Sequence, residues 1–164
     1  MQRGAAFIIA GAALFSAPAA AAPPGSPMKF FEGRTEGTGT IRILLGKTYR
    51  TRSIGHGHFE RDGTMVFVQK VVDDGKPPHE RRWKIRQTGP RQFTGTMSEA
   101  IGPVTIEEIA GRFRFRFRMK GNLSVEQWLV PLAGGTTAKN TLTIRKFGVK
   151  VGTSEGILRK LGTR

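Results

Sequence analysis

His56, His58 and Glu60 alternate along one extended stretch, so their side chains point to one side, and two imidazoles with a carboxylate are a set that binds transition metals. The same alternation, interleaved with Gly55 and Gly57, describes a polar strand facing water; that reading is preferred here, and no metal is expected. His79 follows the Pro77-Pro78 turn and has no partner visible in the sequence. Ser53, Ser98, Ser124 and Ser154 sit in no nucleophile-elbow motif and lack a recognisable His and Asp arrangement. Gly46-Lys47-Thr48 matches the end of a phosphate-binding loop, but Ile41 stands where the first glycine belongs and no helix follows. Glu107 and Glu108 are neighbours on a strand and face opposite sides, so they form no paired acid and base. Cysteine is absent, which excludes disulfides, thiolate nucleophiles, Cys-ligated zinc and iron–sulfur clusters together. No catalytic residue, metal or cofactor is therefore assigned, and the protein is expected to bind and not to be an enzyme.

The elements that would position a binding site follow a leader. Arg3, the apolar run 5–15 and the small residues 16–21 read as a signal peptide over residues 1–21. The apolar run is far short of the ~20 residues a membrane-spanning helix needs. Residues 22–29, with Pro23, Pro24 and Pro27, read as a flexible lead, and residues 30–161 as a single domain. Export predicts a soluble periplasmic or secreted protein.

Beyond the lead no stretch keeps helical periodicity over three turns. Short runs of Val, Ile, Phe and Thr alternate with polar residues and break about every ten residues at Gly, Pro, Asn or Asp. The spacing predicts strands over 30–45, 48–61, 64–73, 80–88, 92–98, 104–110, 112–120, 123–132, 137–147 and 149–161. Asp62-Gly63 and Asp74-Gly75 are hairpin turn pairs. Short links make an all-β antiparallel meander, predicted to close into a lipocalin-like barrel of about eight to ten strands.

The hairpin at Ala110-Gly111 tests the register. A two-residue turn sets Glu107 opposite Arg114, Thr105 opposite Arg116 and Ile106 opposite Phe115. Continuing through residues 120–122 sets Glu126 opposite Arg116 and Trp128 near Arg114. One face then holds Phe113, Phe115, Phe117 and Met119; the other holds four arginines with Glu107, Glu126 and Trp128. The preferred reading packs the phenylalanines inward and leaves the arginines solvated. The alternative is a polar interior in which Arg114, Arg116, Glu126 and Trp128 contact an amphipathic or anionic small ligand.

Phe30-Phe31-Glu32-Gly33, Gly37 and Gly39, Asp74-Gly75 before Arg82-Trp83, Phe93-Thr94-Gly95, Glu126-Gln127-Trp128, and Asn140 ahead of Lys146-Phe147-Gly148-Val149-Lys150-Val151-Gly152 together resemble the domain-of-unknown-function 3833 family. These are bacterial envelope proteins, often lipoproteins. The resemblance implies an exported, single-domain, all-β, lipocalin-like protein with no established activity. Gln127 stands where an acidic residue is common, and the lipoprotein cysteine is missing.

Lys plus Arg total 27 against 12 Asp plus Glu, a formal net charge of +15. Such charge attracts phosphate, but a single-strand nucleic-acid surface needs its aromatics beside its arginines, whereas here they lie on opposite faces, so nucleic acid is not a partner. One tyrosine and two tryptophans are too few for the girdles of an outer-membrane barrel. The expectation is thus an exported binding protein for a small amphipathic or anionic ligand. The alternative is a structural or assembly protein recognising an acidic polymer, lipid surface or protein of the cell envelope. A cleaved leader predicts that mature protein from the native host begins at or near Ala22 and leaves the cell on osmotic shock; intact Met1 in the cytoplasm would contradict it.

Overall fold

The structure, a computed structural model, describes residues 27–162. The expected leader, residues 1–21, and most of the expected flexible lead lie outside the described residues. A short 3-10 helix, Pro27–Phe31, precedes ten strands: β1 (Gly33–Ile43), β2 (Thr48–Phe59), β3 (Met65–Asp73), β4 (His79–Gly89), β5 (Gln92–Met97), β6 (Val104–Ile109), β7 (Arg112–Met119), β8 (Leu123–Pro131), β9 (Thr137–Lys146) and β10 (Val149–Leu161). Each strand pairs with its chain neighbours and β1 pairs with β10, closing an antiparallel barrel. No helix among the described residues is long and apolar enough to cross a membrane.

Alternation assigns the two faces. In β7 Phe113, Phe115 and Phe117 are buried while Arg112, Arg116 and Arg118 are exposed, as the preferred reading of that strand expects. The register of the β6–β7 and β7–β8 hairpins is also the expected one, with Glu107 opposite Arg114 and Glu126 opposite Arg116. The turn at Ala110-Gly111 needs positive φ at both residues, 49° and 74°, which suits the twist of a two-residue hairpin.

The first strand starts later than its sequence suggests. Phe30 and Phe31, placed in it by their β propensity, instead belong to the 3-10 helix, and Gly33 at φ 83° turns the chain from helix into β1. The helix closes one end of the barrel, where Met28 and Phe31 are buried and the Phe31 ring lies 4.9 Å from that of Phe67. Residues 27–29, inside the segment expected to be a flexible lead, thus belong to a helix, because burying two large apolar side chains offsets the entropy of fixing it. Gly57 makes the plug fit: a Cβ there would lie 2.1 Å from the Phe31 carbonyl oxygen. The core fills this end with Met65, Ile85, Phe93, Val104, Ile106, Phe113, Leu129, Ala138 and Leu158.

Two substitutions on one strand check the face assignment. Phe115→Ala should destabilise by about 3–5 kcal/mol, the range for truncating a buried aromatic. Arg116→Ala, on the outer wall, should change stability by about 0.5 kcal/mol or less. Chemical denaturation of both variants reads the difference, and a larger loss for Arg116→Ala would invert the faces.

Candidate ligand-binding lumen

The core does not fill the barrel. Between the packed end and the opposite end lies a cavity of about 410 Å³, within the roughly 300–1,000 Å³ of small-molecule sites. The closed end of this space is apolar, with Trp83, Met97, Phe115 and Phe117 on its wall. Trp83 meets Phe115 and Phe117 edge to face at 6.3 and 5.8 Å, and its indole N–H donates to Gln69 Oε1 at 3.0 Å. That bond satisfies the indole and fixes the ring against the wall.

Nearer the open mouth the wall turns polar. His79 and Arg81 share strand parity with Trp83 and Ile85, so β4 turns all four inward; Glu99, just beyond β5, continues the inward row of Phe93 and Met97. Arg81 donates to Glu99 Oε2 at 2.8 Å, and His79 Nε2 lies 3.1 Å from Glu99 Oε1. Beside them, at the β3–β4 turn, the Lys76 ammonium donates to Tyr49 Oη at 2.9 Å and lies 3.5 Å from Asp73 Oδ2. The Tyr49 hydroxyl first, and the Asp73 charge with it, hold the lysine pKa above its usual value. Gln127 and Asn140 bond to each other at 2.8 Å on the far wall. Asp73 Oδ1 and Arg81 Nε are shut off from solvent and have no hydrogen-bond partner within the protein, while Glu99 Oε1, equally shut off, has only the His79 contact. Buried polar atoms without partners carry a desolvation penalty, and here two of them belong to residues that line one cavity.

The residues expected to contact ligand are elsewhere. Arg114, Arg116, Glu126 and Trp128 do come together, but on the outer wall of β7 and β8. Glu107 accepts from both Arg114 and Arg116, the latter at 2.7 Å, while Glu126 accepts from the Trp128 indole at 3.2 Å. The Trp128 ring lies under the Arg112 and Arg114 guanidinium groups at 5.3 and 5.7 Å. The polar-interior alternative fails because the phenylalanines share parity with the packed core, and burying their rings outweighs sheltering charges that can pair in water. His56 and His58 project from the outer wall too, and among the described residues no three His, Asp or Glu side chains are placed to hold a metal ion. The inward polar set was readable in principle: any strand with Trp83 and Ile85 facing the core must turn His79 and Arg81 the same way.

The family model described as Protein of unknown function (DUF3833) matches residues 9–160. The chain belongs to that family. No curated protein matches the DUF3833 chain in sequence. Among solved structures it is similar to the S-type phycobiliprotein lyase CPES from Guillardia theta, with a TM-score of 0.65, 10% identity, and 84% of this chain covering 92% of the lyase. It is also similar to a protein of unknown function from the DUF3598 family of Nostoc punctiforme, with a TM-score of 0.57 and 8% identity, covering 82% of this chain and 49% of the other. Both likenesses show a shared lipocalin-like barrel. One of the two is named as a lyase, so the fold gives no support to the expectation that a DUF3833 protein is not an enzyme.

The outer cluster gives a pH test. Hydrogen bonding from Arg114, with the Arg116 and Arg114 charges, holds the Glu107 carboxyl below its ordinary 4.5. A depressed folded-state pKa contributes stability that is complete above the unfolded value and is lost as pH falls through the folded one. The parent should therefore exceed Glu107→Gln in stability at pH 7, and the gap should close as pH drops below about 4.5. A gap that widens in acid would reverse the sign.

Proposed function

We propose that this DUF3833 protein is an exported, periplasmic binding protein that holds one small amphipathic molecule in the barrel lumen. The observation that carries the reading is the cavity itself, with an apolar closed end of Trp83, Phe115 and Phe117 and a polar mouth containing two buried unpartnered atoms, Asp73 Oδ1 and Arg81 Nε. An apolar portion of the ligand displaces water from the aromatic end. A polar head then meets Arg81 Nε and Asp73 Oδ1, supplying the hydrogen bonds these atoms lack. The head-group chemistry follows from the charge balance. Arg81 is committed to Glu99, and Lys76 to Asp73 and Tyr49, so the mouth suits a head with both donors and acceptors better than a bare anion. A structural protein with a filled core, the alternative from sequence, gives no reason for this space.

His79 beside Glu99 supports a second reading, in which the pair moves a proton to or from the bound molecule. Under this reading His79→Gln would preserve binding and stop conversion of the ligand.

A dansyl-labelled fatty amide, whose head both donates and accepts, tests the lumen site through energy transfer from tryptophan. The parent should bind it, read as dansyl emission on excitation of tryptophan. Leu142→Trp, which places a large ring on the lumen wall, should weaken binding at least tenfold. Equal binding by the parent and Leu142→Trp would exclude the lumen as the site.

A further inference from the structure

Antiparallel order brings the β1–β2 turn and the β9–β10 turn to the open end of the barrel, and the β1–β10 ladder makes them neighbours, with Leu44 N donating to Val151 O at 2.8 Å. These two tips carry Ile43, Leu44, Leu45, Phe147 and Val149, all exposed; Leu45 is fully so and Phe147 is 76% exposed. Leu45 and Phe147 also adopt positive φ, 57° and 50°. Turns at such φ favour Gly, Asn or Asp, and a branched or aromatic side chain there is strained. Neither the backbone nor the protein core gives a reason for large apolar groups at these positions. Solvent exposure is unfavourable for both, and contiguous exposed apolar groups mark an interaction surface.

Charge identifies the partner. Segments 42–50 and 145–150 contain Arg42, Lys47, Arg50, Arg145, Lys146 and Lys150 and no acidic residue. Lys120 adds another cation at the same end, in the β7–β8 turn; the acidic residues there are Asp74, in the β3–β4 turn, with Asp73, Glu80 and Glu99, which pair with Lys76, Arg82 and Arg81. Apolar side chains at the tip with lysine and arginine around their base match a bilayer, whose hydrocarbon takes up the former and whose anionic head groups attract the latter. A folded protein partner would need no such excess of one sign.

We infer that the β1–β2 and β9–β10 tips form a docking surface for an anionic lipid bilayer, with Leu45 and Phe147 entering the interface and the surrounding cations contacting lipid phosphates. The surface stands independently of the lumen reading. If both hold, docking seats the open mouth against the membrane, where an amphipathic ligand enters or leaves without crossing water.

The absence of cysteine lets a single introduced thiol carry an environment-sensitive nitrobenzoxadiazole probe on the full chain. Leu45→Cys and Phe147→Cys report the tips; Ala110→Cys, in the β6–β7 turn, reports the opposite end. With vesicles containing 30% phosphatidylglycerol in phosphatidylcholine, both tip probes should shift to the blue and brighten severalfold, and the Ala110→Cys probe should not. Adding Lys146→Glu and Lys150→Glu should raise the lipid concentration for half-maximal shift at least tenfold. Unchanged tip spectra, an equal shift at the Ala110→Cys position, or a shift that follows protein concentration without vesicles would overturn the proposal, the last identifying a second copy as the occupant. Binding of the uncharged fatty amide in the dansyl assay should be unaffected by the two glutamate substitutions, so failure of docking and failure of the lumen site are separable.

Discussion

Closure of the sheet through the ladder between β1 and β10 is the constraint on which the other features depend. The pairing runs from Arg34 opposite Leu161 to Ile43 opposite Gly152 and leaves no strand edge unpaired. Once the sheet is a tube, every side chain on it faces either the lumen or the outer wall. Close approach along the seam requires glycine: Gly39 stands opposite Gly156, and a Cβ on Gly156 would lie 2.3 Å from the Thr38 carbonyl oxygen. The same missing side chains leave space beside them, since Gly37, Gly39 and Gly156 all border the cavity. Closure and cavity therefore share a cause.

Closure also separates two ends with different chemistry. At one end the 3-10 helix and its two buried side chains seal the barrel over Phe67 and Gly57. At the other, no such plug is present among the described residues, and the wall changes from aromatic rings to the Arg81–Glu99 pair and the Tyr49–Lys76–Asp73 set. A gradient from apolar to polar along one enclosed axis selects amphipathic molecules by length as well as polarity. Apolar tips beyond the polar ring extend this order outward, so that the molecule is apolar again at the surface of its open end.

Much of the fold was legible because strand parity and turn chemistry are local. Ten strands, their approximate limits and the pairing of Glu107 with Arg114 follow from alternation and from turns such as Asp62-Gly63. The 3-10 helix was not legible, because Phe30 and Phe31 have β propensity and only the tertiary pocket beside Phe67 overrides it. The polar lining of the lumen was passed over for a different reason. Arg112 to Arg118 alternating with phenylalanines drew attention as the densest charge pattern, yet dense charge on a barrel belongs outside, where water screens it. His79 and Glu99 are 20 residues apart, near the open ends of the two arms of the β4–β5 hairpin, and they meet only when Trp83 is set opposite Met97.

Native mass spectrometry of the protein isolated from its own host without organic extraction tests the central claim most directly. The account predicts one small molecule retained per chain, released by unfolding, and absent from Leu142→Trp prepared in the same way. A mass equal to that of the bare polypeptide, unchanged after incubation with amphiphiles of graded length, would contradict it and leave the cavity without a ligand-binding role.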